Sequence, residues 1–227
     1  MYLRQYEDAK QSLEIMFTDY PERHAAEDSV KVYYDILSYQ QNWEAAANCA
    51  SSIIDDAGKS QGARAHTLAM LGFAAWRQGK ESESLNYLNR VGTEYPEYDA
   101  EAVYYKFLIA LCACRFDEAT GYQRELDAKN HAWGLLALGR ILHAQKEYAK
   151  AAGCFREAAD KAGIAKDNER LGQALIYLYN TQAFTGDSVG GEKAKRELAA
   201  KAPLFFRKRF PMTDAEFDAY LKQPAAK

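Results

Sequence analysis

The sequence predicts an all-α protein, a helical solenoid of about five helix pairs with an N-terminal half-repeat and a short C-terminal helix. A phrase of an aromatic, a small and an apolar residue recurs about six times, in full at Tyr148, Ala151 and Phe155 and more loosely elsewhere. Its small residues stand at positions 9, 46, 84, 119, 151 and 191, so successive copies lie 32 to 40 residues apart. A period of this length is typical of helical solenoids. Apolar residues also recur at three- and four-residue spacing, which indicates helices rather than strands.

The helices follow one another with short turns between them. The half-repeat helix spans residues 3–18 and ends before Tyr20-Pro21, because proline disfavours helix in the residue that precedes it. The five predicted pairs are 24–40 with 43–56, 61–78 with 81–91, 98–114 with 116–128, 131–145 with 147–162, and 167–185 with 190–202.

Turn residues mark the boundaries between these helices. Gly79 and Gly186 separate the helices of the second and fifth pairs, and residues 40–42 separate those of the first. Tyr95-Pro96 ends the second pair, and Pro203 stops the fifth.

A capping box at the C-terminal end predicts one more helix. Thr213 and Glu216 stand three residues apart, as the two reciprocal partners of such a cap do, so a helix is expected over 213–222. The predicted organisation is a half-repeat helix in 1–22, five helix pairs in 23–203, and a basic, aromatic segment with a capping helix in 204–227.

Two copies of the repeat share a Leu-Gly step in their first helix. Leu71-Gly72 lies in LGFAAWRQGK and Leu138-Gly139 in LGRILHAQKEYAKAAGCF. With this step the chain resembles the tetratricopeptide repeat (TPR) family, and the resemblance implies a right-handed solenoid. Glycine at this step lets the second helix of the pair approach closely. In three other copies the position holds Tyr34, Phe107 and Tyr179.

A second phrase is similar to bacterial envelope TPR proteins of the outer-membrane-assembly lipoprotein and Tol-coordinator type. It appears as TDYPERHAAEDSVKVYYDI and again as TEYPEYDAEAVYYKFLIAL. The resemblance implies a periplasmic or envelope location if a leader is missing. The cysteines, which read as free thiols, favour the cytoplasm instead, because reducing compartments keep thiols free. The chain has no run of 18 apolar residues that would predict a transmembrane helix.

The family resemblance implies that the first helix of each pair lines a concave groove. Helical phase counted from the Leu-Gly steps places ten residues there: Met70, Phe73, Trp76, Arg77, Tyr104, Leu108, Leu111, Trp133, Arg140 and His143. Such a mixture of Trp, Tyr, Met and Arg is typical of binding hot spots, although each residue could instead pack in the core. The predicted function is a non-catalytic scaffold that binds a peptide or helix of a larger assembly.

One partner class of the family is excluded by charge. TPR proteins that bind the C-terminal carboxylate of a partner need a Lys and an Asn one helical turn apart. Here the matching positions hold Lys31 and Asp35. The acid would repel a carboxylate.

Motifs for catalysis, cofactors and metals are absent from the sequence. The four histidines are scattered without an HExxH pattern, and the CxC pair at Cys112 and Cys114 has no second ligand pair. The glycines of residues 186–193 resemble a phosphate loop, but Glu192 stands where that loop needs lysine. We therefore expect no enzyme activity, no cofactor and no metal.

The segment 193–210 interleaves aromatic residues with cations, as in Phe206, Arg207 and Phe210. This pattern is found in nucleic-acid grooves and in interfacial membrane patches. Because the net charge is -3, we expect instead that the aromatic rings dock on the last repeat while the cations stay in water.

The N-terminal half-repeat predicts a surface for association. Tyr2, Tyr6 and Leu13 would keep an apolar stripe uncovered, since the first helix of their pair would precede Met1. A further copy of the chain, missing upstream repeats or a partner would cover it. A structural or self-assembling module is accordingly the alternative function.

Overall fold

Helices account for nearly all of the chain that the structure describes. The structure is a computed structural model, and it describes residues 8, 10–15, 19, 27–54, 59–129, 131–210 and 212–222. In chain order the helices are α1 (Glu27–Tyr39), α2 (Trp43–Ile54), α3 (Gln61–Arg77), α4 (Glu81–Glu94), α5 (Asp99–Cys112), α6 (Phe116–Lys129), α7 (His131–Ala144), α8 (Tyr148–Ile164), α9 (Asn168–Thr185), α10 (Ser188–Lys201), α11 (Pro203–Arg209) and α12 (Asp214–Lys222), with a 3-10 turn at Pro96–Tyr98. No strand occurs in these residues, so the predicted all-α class is confirmed.

The chain divides by its internal packing into two units, Met1–Ile109 and Ala110–Lys227. In the first unit α2 packs on α1 and α3, and α3 packs on α4. In the second unit each helix from α6 to α10 packs on the next one along the chain. Packing between sequence neighbours is the arrangement expected of helical repeats.

The turns inside the five pairs share one backbone geometry. Each contains a residue with a left-handed φ between 57° and 80°, namely Gln41, Gly79, Cys114, Lys146 and Gly186. The next amide then donates to the carbonyl five residues earlier, as Lys80 does to Ala75 and Asp187 to Gln182, both at 2.9 Å. These are the hydrogen bonds of a helix C-cap with a left-handed residue. In all five turns the small residue of the repeat phrase follows the left-handed residue by five positions.

The shared turn predicts opposite effects for two substitutions. Gly186→Ala should cost about 1 kcal/mol, because a Cβ at positive φ crowds the following carbonyl, and should lower Tm by about 2–4 °C. A Cβ at Gly186 would meet no other atom within 4 Å, so backbone strain alone is tested. Lys146→Gly removes the same strain and should raise Tm slightly. Thermal unfolding followed by circular dichroism measures both, and an unchanged Tm for Gly186→Ala would contradict the turn geometry.

The glycine of the Leu-Gly step lies where two helices approach closely. A Cβ built on Gly72 would come within 2.7 Å of Leu88 Cγ, and one on Gly139 within 2.5 Å of Phe155 Cε1. Leu88 and Phe155 belong to the second helix of the respective pairs, and both are fully buried. The expected close approach of the second helix is therefore present in both pairs.

The C-terminal segment forms a helix that the sequence did not predict. Pro203 was interpreted as a stop signal, whereas it opens α11, where its missing amide proton and fixed φ suit the first turn. The predicted capping box is confirmed: the Glu216 carboxylate accepts from the Thr213 amide at 2.8 Å, and the Glu216 amide donates to Thr213 Oγ1 at 3.3 Å.

The aromatic rings of this segment pack inside the second unit. Phe206 is fully buried, and its ring centroid lies 5.1 Å from those of Phe210 and Tyr220 and 5.4 Å from that of Phe217. Lys195 Nζ lies 4.8 Å from the Phe210 centroid and 4.9 Å from that of Tyr220. These rings and this cation contact one another, as expected of aromatic rings that dock on the last repeat. No described helix is both long and apolar enough to cross a bilayer.

The predicted association surface at the N-terminus falls mostly outside the described residues. Tyr2 and Tyr6 are not described, while Leu13 is half-buried and Ile15 is 53% exposed. The prediction of an association surface remains a prediction.

Candidate functional site

In the first unit, predicted groove residues meet in a cluster of aromatic rings. The ring of Phe73 lies 5.6 Å from that of Trp76, 5.9 Å from that of Trp43 and 6.0 Å from that of Tyr105. The Arg77 guanidinium lies 4.9 Å from the Trp43 ring and 5.8 Å from the Trp76 ring. We call these five residues the first cluster.

Local helix geometry brings the first cluster together. Phe73, Trp76 and Arg77 share one face of α3 because their spacings are three and four residues. Trp43 begins α2, and its carbonyl accepts a hydrogen bond from Gln78 Nε2 at 3.2 Å, which ties the start of α2 to the end of α3.

The first cluster is neither core nor open surface. Its four rings are half-buried against the core of the unit, and Arg77 is exposed. Exposed cation–π contacts contribute about 0.5–1 kcal/mol each, enough to restrict the guanidinium over the rings while leaving its edge N–H groups able to donate. The arrangement offers rigid apolar contact area beside a hydrogen-bond donor.

Two predicted groove residues of this unit pack inside it instead. Met70 is 3% exposed, and its carbonyl accepts the Tyr34 hydroxyl at 2.7 Å. Tyr104 is 8% exposed and stacks on Phe107 with a centroid distance of 6.0 Å. We assign both to the core, because the first helices pack closely enough to enclose them. Leu108 is half-buried.

A histidine–glutamate contact lies between the first helices of two successive pairs. His66 Nδ1 on α3 contacts the Glu101 carboxylate on α5, and both side chains are partly buried. This contact links α3 and α5, whose Phe73 and Tyr105 rings also meet. It therefore helps to fix the position of α3 along α5 within the first cluster.

In the second unit, three residues of α7 each contact a residue of α9. Arg170 lies 3.9 Å from the Trp133 ring, and Arg140 lies 5.0 Å from the Tyr177 ring. His143 Nδ1 lies 3.1 Å from Thr181 Oγ1. The contacting residues are 37, 37 and 38 positions apart, so the two first helices stay in register along this ladder.

Aromatic rings surround His143 at one end of the ladder. Its ring lies 5.1 Å from Tyr148 and 6.1 Å from Phe184, and the latter two lie 5.0 Å apart. Phe184 is 68% exposed. We call Arg140, His143, Tyr148, Tyr177 and Phe184 the second cluster.

The other groove residues predicted in this unit are less accessible. Trp133 is 6% exposed beneath the Arg170 guanidinium, so we assign it to the core. Leu111 is half-buried.

Sequence reasoning missed two of the five residues of the first cluster and three of the five residues of the second. Trp43 and Tyr148 each begin a second helix, whereas the groove prediction considered first helices only. Tyr105 lies on α5, where the phase counted from the Leu-Gly steps selects Tyr104, Leu108 and Leu111 instead. Tyr177 and Phe184 lie on α9, to which that phase was not extended. Pairing the aromatic residue that begins a second helix with the last turn of the following first helix would have found Trp43 with Arg77 and Tyr148 with Phe184.

Reactive groups do not gather in the described part of the chain. No three His, Cys, Asp or Glu side chains lie close enough there to hold a metal ion. All four cysteines are free, and burial raises the pKa of the Cys49 thiol to about 11. Burial also raises the pKa of Cys154, so these two thiols stay protonated and weakly nucleophilic near neutrality.

Two solved structures resemble the chain at low sequence identity. A scan against protein-family models gives no match, and neither does a search of curated proteins. The crystal structure of BtubC (BKLC) from P. vanneervenii has 13% identity, with 99% of this chain and 94% of that chain covered and a TM-score of 0.44. That of PilW, a widely conserved type IV pilus biogenesis factor, has 16% identity, with 91% of each chain covered and a TM-score of 0.46. Similarities of this size carry no functional argument.

Proposed function

We propose that this chain is a non-catalytic protein-interaction module of the TPR type, which binds a peptide or helix of a larger assembly through the face of its first helices. The first cluster is the observation that carries the proposal. Four half-buried rings and an exposed arginine are assembled there, and Trp, Tyr and Arg are the residue types that dominate binding hot spots.

Several features support this surface as a binding site rather than as packing alone. The rings of the first cluster contact one another and the Arg77 guanidinium, so little side-chain entropy remains to be lost when a partner binds. The Leu-Gly steps, the close second helices and the repeated turns all support the TPR resemblance. In that family the first helices provide the binding face.

Site-specific photo-cross-linking tests the proposal. Two variants carry a photo-reactive residue, one in place of Arg77 and the other in place of Phe184. Each variant should capture a discrete protein partner from extracts of the source organism. The control positions are Leu204 and Ile164, each 82% exposed, which should capture none.

Charge reversal then separates binding from folding. Arg140→Glu should reduce the Phe184 adduct at least tenfold, because it removes the guanidinium donors of the second cluster, to which Phe184 belongs. The variant loses the cation–π contact with Tyr177, about 0.5–1 kcal/mol, and thermal unfolding checks that Tm changes little. Arg124→Glu, an exposed charge reversal on α6, should leave the adduct unchanged. Equal adducts at the control positions, or none at Arg77 and Phe184, would contradict the proposal.

A further inference from the structure

A cleft of about 300 Å³ opens in the second unit beside the turn between α9 and α10. A Cβ built on Gly191 of α10 would lie 3.8 Å from the Ala183 amide nitrogen and 3.9 Å from Tyr179 Cδ2, so these residues of the two helices meet at the cleft. Ser188 and Glu192 also line it. None of the lining residues belongs to the first or the second cluster.

The two carboxylates at the cleft already have partners within the chain. Asp187 accepts from the Gly190 amide at 2.9 Å and thereby caps the N-terminus of α10. Glu192 accepts from the Tyr220 hydroxyl at 3.0 Å, and Arg196 Nε lies 3.1 Å from it. The cleft therefore offers a ligand its aromatic and small side chains rather than its charges.

Two other pairs show what occupies the corresponding place. The second residue after the left-handed turn residue is Trp43 in the first pair, Tyr148 in the fourth and Ser188 in the fifth. Arg77 lies over the Trp43 ring at 4.9 Å, and the Phe184 ring lies 5.0 Å from that of Tyr148. Arg77 and Phe184 both stand on the following first helix, two residues before its own turn residue. The place beside Ser188 thus belongs to the last turn of a first helix that would follow α9.

Helix α11 begins on this path but ends before it reaches the cleft. It packs on α9 and α10, as α9 packs on α7 and α8. Asn180 stands six residues before its turn residue, as Arg140 does. Arg140 contacts Tyr177 of the next first helix, and Asn180 Oδ1 accepts from Arg209 Nη2 at 3.3 Å, so Arg209 of α11 corresponds to Tyr177. Phe184 follows Tyr177 by about two helical turns, whereas α11 ends at Arg209.

The fifth pair also has smaller side chains at this place than the fourth. Ala183 and Ser188 correspond to His143 and Tyr148, whose rings both contact the ring of Phe184. Ala183 and Ser188 are exposed. The missing turns of α11 and these two small residues together account for the open space.

We propose that the cleft binds the last two turns of an α-helix of a partner protein, with an aromatic side chain in the place that Phe184 has beside Tyr148. The helix would continue the line of α11 and pack on α9 and α10, as the first helix of a sixth pair would. Its aromatic ring would lie on Ala183 and Ser188. A volume of about 300 Å³ is at the lower end for ligand pockets, so it suits one such side chain. This site is additional to the two clusters.

A helical peptide tests the site on the full chain by nuclear magnetic resonance. The probe has the sequence of residues 178–185, LYNTQAFT, with a hydrocarbon staple joining the positions of Tyr179 and Ala183, one turn apart. The staple leaves Phe184 of the probe free. The probe should cause saturable shifts of the Ala183, Ser188 and Gly191 amides of the chain. The same peptide with Phe184→Ala should bind at least tenfold more weakly.

Chain variants give the matched control. Ala183→Glu places a carboxylate in the cleft and should raise the Kd for the probe at least tenfold. Ala165→Glu, at an exposed position in the turn between α8 and α9, should change it less than twofold. Circular dichroism establishes that both variants fold.

Three results would overturn the proposal: shifts that do not saturate, equal affinity of the alanine peptide, or unchanged affinity of Ala183→Glu. Shifts confined to the first or second cluster would overturn it as well, and they would instead support the binding face described under the proposed function.

Discussion

Truncation of Phe155 to alanine should lower the free energy of unfolding by about 3–5 kcal/mol, the range found for buried phenylalanines. The Phe155 ring is fully buried, where it fills the space above Gly139 and stacks on Tyr177 at 5.3 Å between ring centroids. Removing it leaves a cavity between α7, α8 and α9 that rigid helices cannot collapse. Urea denaturation of the full chain measures the loss.

A double-mutant cycle with Gly139 tests the same contact from the other side. Gly139→Ala alone should cost about 1–3 kcal/mol, because the new methyl group overlaps the Phe155 ring. In the Phe155→Ala background the methyl group enters the cavity, so its cost should largely disappear. Additive losses would show that the helices separate to accommodate the methyl group, contrary to the close approach described above.

Phe206→Ala should have an effect of similar size, again about 3–5 kcal/mol, because the ring is fully buried. Its loss also removes contacts to Phe217 and Tyr220 of α12, and the amide protons of α12 should then exchange faster with solvent. Leu204→Ala, at a position 82% exposed on the same helix, should cost less than about 0.5 kcal/mol. If Phe206→Ala were as mild as Leu204→Ala, the packing of the Phe206 ring between α11 and α12 would be contradicted.

The helix pairs could be predicted from sequence because their signals are local. Apolar spacing, the capping box and the glycines at 79 and 186 each act within a few residues of the element that they define. The left-handed residues at Cys114 and Lys146 carry no such signal, since only their place in the repeat shows that a turn is needed there. Helix α11 was missed because a proline ends one helix and begins another equally well.

The candidate site was harder to predict because it depends on contacts between helices. Helical phase identified Phe73, Trp76 and Arg77 on one face, but Trp43 joins them only through packing of α2 on α3. The same phase placed Trp133 in the groove, where Arg170 from the next first helix covers it. Burial of a residue in one helix depends on its neighbour's side chains, which spacing within a single helix does not reveal.

The constant turn inside each pair constrains how the length of the chain can change. One residue inserted at Lys146 would rotate α8 by about 100° about its axis, since an α-helix has 3.6 residues per turn. Ala151 and Phe155 would then no longer face α7. Lys166, between α8 and α9, has the same left-handed φ and the same hydrogen bond, from the Asp167 amide to the Ala162 carbonyl at 2.9 Å, so an insertion there would rotate α9 in the same way. Natural insertions and deletions should therefore avoid these six turns, and a tag or a foreign domain is better grafted elsewhere.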